Sequence, residues 1–65
     1  MYKLITYNGE ISERKRMSLK QMQDFVGGYT EYVGRIICNE DGLRLKLPRN
    51  VADPRFVGNV IMEVK

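Results

Sequence analysis

The sequence predicts an α+β fold: a small antiparallel or mixed sheet of about five short strands, with one α-helix packed on one of its faces. Three observations predict it. Short runs of β-branched and aromatic residues are bounded by Asn, Gly and Pro, and one apolar stripe at helical spacing runs between Met17 and Gly27. The chain has 65 residues, 43% of them hydrophobic, which is enough for one small domain with a thin core. Residues 1–65 are read as that single unit, with an N-terminal hairpin over 1–17 and a core over 18–64.

Tyr2–Tyr7 reads as a strand, and Asn8-Gly9 after it is a two-residue hairpin signal that turns the chain into a second, polar strand over Glu10–Arg16. In that register Tyr2, Leu4, Thr6 and Ile11 share a face and Ile5 lies opposite. Ser18 and Gln21 form a capping box, flanked by Met17 and Met22 at the positions of a hydrophobic staple. Leu19, Met22, Phe25 and Val26 then recur at helical spacing, and Gly27 ends the helix in a left-handed cap. Residues 29–38 read as one long strand with a bulge at Gly34. Asn39-Glu40-Asp41-Gly42 is a turn, and Leu43–Leu47 alternates so that three leucines face inward and Arg44 and Lys46 outward. Pro48 ends that strand. Phe56–Val64 is the last one, with Val60, Met62 and Val64 on one face and Ile61 on the other.

Composition narrows the chemistry. With no His and one Cys, the chain lacks an imidazole base, a disulfide and the usual zinc ligands, so catalysis and metal binding are not expected and no cofactor is. Cys38 follows Ile36-Ile37 and reads as a small buried hydrophobe. Glu40 and Asp41 are explained by turn chemistry, and the later ligands of a calcium loop are replaced by leucines. No apolar run reaches the roughly 20 residues that cross a bilayer, so a cytoplasmic location without membrane contact is expected.

Eleven Lys and Arg against eight Asp and Glu give a net charge of +3. Candidate binding residues are Tyr29, Glu31, Arg35, Arg44, Lys46, Arg49 and Asn50. Of these, Arg35, Arg44, Lys46 and Arg49 would form a basic strand face for salt-sensitive nucleic-acid binding, with Arg14, Lys15 and Arg16 as an auxiliary patch. Ser18, Gly27, Gly28, Asn39, Gly42, Pro48 and Gly58 are read as structural turn and cap residues. One helix covers one face of a sheet, so Ile5, Ile61 and part of Tyr32 are expected to stay uncovered unless a second copy shields them, and a homodimer is the corresponding expectation.

The series Val26-Gly27-Gly28-Tyr29 with Glu31, then Asn39-Glu40-Asp41-Gly42, Leu47-Pro48 with Asn50 and Ala52, and Val57-Gly58-Asn59-Val60 resembles a family of small domains of unknown function, the one numbered thirty-eight forty-six. The resemblance covers about residues 18–64, with the N-terminal hairpin as a more variable lead-in. Pro54 and Asn59 depart from the family's pattern, Asn59 standing where an acid is common. The resemblance implies a phage or viral accessory protein acting in the host cytoplasm. Together with the missing catalytic groups, it leads to a non-enzymatic binding module for a host macromolecule or a small nucleotide ligand, with nucleic acid as the alternative partner.

Overall fold

In the computed structural model, which describes residues 1–64, Tyr2–Ile5 forms β1 and Ile11–Arg14 forms β2. They pair antiparallel with Ile5 opposite Ile11. The turn between them is longer than Asn8-Gly9 alone suggests. Gly9 donates to the Thr6 carbonyl at 3.0 Å and takes a φ of 95°, while Asn8 keeps a negative φ, which defines a tight turn followed by a glycine bulge. The Thr6 hydroxyl accepts from the Glu10 amide at 2.9 Å and fastens the loop. The extra residue shifts the register by one position. Ile11 therefore lies on the face of Ile5, not with Tyr2 and Leu4.

The helix, α1, spans Leu19–Val26 and carries its expected capping box: Ser18 Oγ accepts from the Gln21 amide at 3.2 Å, and Gln21 Oε1 from the Ser18 amide at 2.9 Å. Gly27, at a φ of 85°, is the left-handed stop, and the amides of Gly27 and Gly28 both converge on the Gln23 carbonyl.

The stretch expected as one long strand over 29–38 is instead a hairpin of β3 (Thr30–Val33) and β4 (Ile36–Asn39). Gly34, at a φ of 62°, and Arg35 make its two-residue turn, the arrangement in which only the first central residue has positive φ. Val60–Glu63 forms β5, and the sheet order is β2-β1-β5-β4-β3 with every pairing antiparallel.

No strand forms over Leu43–Leu47. Both edges of β4 are already occupied, by β3 and β5, so a strand leaving β4 has no neighbour to pair with. Residues 40–46 instead coil through a turn in which Leu45 donates to the Asp41 carbonyl, and Lys46 closes it with a φ of 55°. Leu43 is 81% exposed and Leu45 49%, so the expected inward row of leucines is absent.

Each face of the sheet has its own apolar cluster. On the helix side Leu4, Ile37 and Ile61 meet Met22 and Val26, with Tyr2, Met17 and Phe25 around them. On the other side Ile5, Ile36, Cys38 and Val60 lie beneath Phe56, with Met62 beside them. The long connection from β4 to β5 thus does for the second face what no helix does. Ile5 and Ile61, expected to stay uncovered, are buried, whereas Tyr32 is 58% exposed as expected.

The expected α+β fold with a helical layer is likewise corrected. The helix has eight residues and buries only Met22 and Val26 fully, so the protein is predominantly an antiparallel five-stranded sheet with one short helix against part of it. No helix among the described residues is long and apolar enough to cross a membrane.

Three asparagines tie these parts together. Asn39 donates to the Val26 carbonyl and Asn59 to the Phe25 carbonyl, each at 3.0 Å, so two of the bare carbonyls at the end of α1 are satisfied from the sheet. Asn59 Oδ1 also accepts from the Tyr7 amide at 2.9 Å, and Asn39 Oδ1 from the Asp41 amide at 2.8 Å. Asn50 is fully buried. It donates to the Gly58 carbonyl at 3.0 Å and, at 3.4 Å, to those of Ile5 and Thr6, while accepting from the amides of Ala52 and Asp53. A carboxylate at position 59 could accept from Tyr7 but not donate to Phe25, which gives the asparagine there a structural reason.

Candidate functional site

The second face of the sheet is roofed incompletely. Between β3–β4 and the connection to β5 lies a cleft of about 270 Å³. Its floor is Cys38 and its walls are Val33, Leu43, Phe56 and Val57, with Glu31, Glu40 and Arg55 at the rim. The strand period positions the floor and one wall: Glu31 lies opposite Cys38 and Val33 opposite Ile36, so all four side chains share the face away from the helix. The opposite wall is set by the Asn50 clamp and by the Phe56 amide, which donates to the Asp53 carbonyl at 3.0 Å.

The charges at the rim do not balance. Arg55 forms a two-pronged pair with Asp53, at 2.9 Å from Nε and 2.7 Å from Nη2, and its guanidinium sits 5.5 Å from the centre of the Phe56 ring. That hydrogen bonding holds the Asp53 carboxyl below its ordinary range and raises Arg55. Arg55 is thus already neutralised. Glu31 and Glu40 have no ion-pair partner among the described residues, so they leave the mouth of the cleft anionic in a chain of net positive charge.

Cys38 is protonated at neutral pH. Burial in the apolar floor pushes its thiol up first, and the nearby Glu31 carboxylate adds to the shift. Its Sγ lies 3.7 Å from the Glu31 carbonyl, the acceptor for its weak donor. Burial and the neighbouring carboxylate thus favour the neutral thiol, the less nucleophilic form.

Of the binding residues expected from sequence, the structure brings only Glu31 into this cleft. Tyr29 is 70% exposed beside an open depression lined by Gln23, Asp24, Gly27 and Gly28 at the end of α1. Asn50 has no exposed surface, and its amide is consumed within the chain. The cations expected on one strand face are divided. Arg35 occupies the turn before β4, and its carbonyl accepts from Glu63, which lies opposite Tyr2 and so in the row of Arg14. Arg44, Lys46 and Arg49 lie in the connection that leaves the other end of β4, with Arg44 paired to Asp41 at 3.2 Å and Arg49 donating to the Pro54 carbonyl. Arg35 therefore lies at the same end of the sheet as Arg14, with β1 and β5 between their strands.

Val33, Leu43, Glu40, Arg55 and Phe56 were not among the expected site residues. Asp53 two places before Arg55, with Phe56 next, was a readable sign of a paired and stacked arginine. The cleft itself depends on the β3–β4 hairpin, which the single-strand reading hid.

The fold and the cleft define a small antiparallel-sheet protein with a recess on the sheet face opposite its helix. The chain belongs to the family described as Domain of unknown function (DUF3846), whose model matches residues 3–63. The match takes in the N-terminal hairpin, in accord with the interior place of β1 in the sheet. No curated protein and no solved structure matches the chain.

Proposed function

We propose that the protein is a non-enzymatic binding module that uses the cleft between β3–β4 and Phe56 to receive a cationic group carried on an apolar stem, such as the Arg or Lys side chain of a host protein. The observation that carries this reading is the pairing of an apolar interior with two unpartnered carboxylates, Glu31 and Glu40, beside an arginine already bound to Asp53. The size of the cleft supports a side chain over a nucleotide. At about 270 Å³ it falls just below the roughly 300–1,000 Å³ of small-molecule sites, and its anionic mouth repels phosphate. The protonated Cys38 on the floor supports binding over covalent chemistry. The phage or viral origin and host-cytoplasmic setting implied by the sequence resemblance belong to the same proposal.

Benzamidine, an aromatic amidinium, is a suitable probe. Titration followed by NMR is expected to shift Glu31, Cys38 and Phe56 saturably, with benzoate leaving them in place. Equal shifts with both compounds, or none with benzamidine, would overturn the reading.

A further inference from the structure

The two open edges of the sheet are built differently. β2 ends in Glu13-Arg14 and continues into Lys15-Arg16, a run of charges that discourages pairing with another strand. β3 carries Thr30, Glu31, Tyr32 and Val33, three of them strong strand formers with a single charge among them, and no bulge interrupts it. Its backbone polarity is legible from the ladder. The Glu40 amide donates to the Tyr29 carbonyl and the Glu63 amide to that of Arg35, so β4 bonds to β3 through Ile36 and Cys38 and to β5 through the alternate residues. Glu31 and Val33 are therefore spent on β4. The N–H and C=O groups of Thr30 and Tyr32 point outward along the open edge.

We infer that β3 receives an extended, basic segment of a partner protein as a further strand of the five-stranded sheet, with a cationic side chain of that segment dropping into the cleft beside Glu31. This rests on the reading of the cleft given above and names what enters it. The two features adjoin because Glu31 and Val33 belong both to the edge strand and to the cleft wall. A strand added at this edge places every second side chain on the cleft face, so main-chain pairing supplies attachment and Glu31 and Glu40 select for positive charge. The edge strand itself carries no Lys or Arg to oppose such a segment.

The test uses the isotope-labelled protein and a blocked peptide of about six alternating Arg and Val residues, with an alternating Glu and Val peptide as counterpart. The basic peptide is expected to bind saturably and to protect the amides of Thr30 and Tyr32 from hydrogen exchange. Thr30→Pro removes an outward N–H and leaves the β3–β4 bonds in place; it is expected to weaken binding at least ten-fold, and Glu31→Gln several-fold, with the acidic peptide inert. Binding that leaves the Thr30 and Tyr32 amides unprotected overturns the inference whether or not Thr30→Pro folds. Equal affinity for the acidic peptide, or a concentration-dependent dimer protecting the same amides without peptide, overturns it too. Failure of the peptide while benzamidine still fills the cleft removes the added strand alone; failure of both removes the cleft reading as well.

Discussion

The side-chain amide of Asn39 donates to the backbone carbonyl of Val26 at 3.0 Å and so joins the end of β4 to the last turn of α1. A helix of eight residues is marginal alone, and its C-terminal carbonyls need partners that water does not supply in a buried corner. Asn39→Ala is therefore expected to destabilise the fold by about 1–3 kcal/mol, read as a lowered urea midpoint. Loss of helical circular dichroism ahead of the sheet signal would accompany it.

Asn50 is a more demanding case, because the fully buried amide serves five backbone groups from three segments. Asn50→Asp keeps the shape but replaces a donor facing the Gly58 carbonyl with an acceptor. It is expected to cost more than Asn39→Ala, roughly 3 kcal/mol or above, and to loosen the wall that carries Phe56. Chemical denaturation gives the first quantity, and hydrogen exchange at Phe56 gives the second.

Two glycines with positive φ separate backbone strain from steric contact. At Gly34 an added Cβ meets no atom within 4 Å, so Gly34→Ala carries only the conformational penalty, about 1 kcal/mol. At Gly58 the Cβ would stand 2.8 Å from Leu47 Cδ1, the end of a half-buried side chain that must move aside, so Gly58→Ala adds a small packing cost to a similar penalty. Parallel thermal melts are expected to rank them in that order.

The thiol of Cys38 gives the fold an alkaline limit. Its folded-state pKa lies above the ordinary value of 9.0, so the native state holds the proton longer than the unfolded chain does. The corresponding stability is complete below the unfolded pKa and is lost as pH rises through the folded one. A denaturation series from pH 8 upward is expected to show this decline, and Cys38→Ala to remove that part of it. Alkylation by iodoacetamide at neutral pH is expected to be slow in the native protein.

Local signals were legible in the sequence and long-range ones were not. Ser18, Gln21 and Gly27 speak to their immediate neighbours, and each does what its type and spacing indicate. Leu43–Leu47 has the alternation of a strand, yet whether it becomes one depends on a vacant neighbour that only the sheet order reveals. Gly34 was readable as a break but not as a reversal, since a bulge and a turn ask the same φ of it. For the candidate site, Glu31 was legible only as a member of the Val26-Gly27-Gly28-Tyr29-x-Glu31 motif. Its partners come from the β4–β5 connection, and no spacing rule joins residue 31 to residue 56.

The strand order also dictates when the molecule becomes whole. β1 is the first strand of the sheet in chain order and β5 the last, yet they lie side by side in its interior, with Ile5 opposite Val60. During vectorial synthesis the two hairpins have no common partner until Val60–Glu63 clears the ribosome. Each then waits as a separate ribbon of marginal stability. Closure of the sheet is consequently a late event, because β5 is the strand that joins the two ribbons.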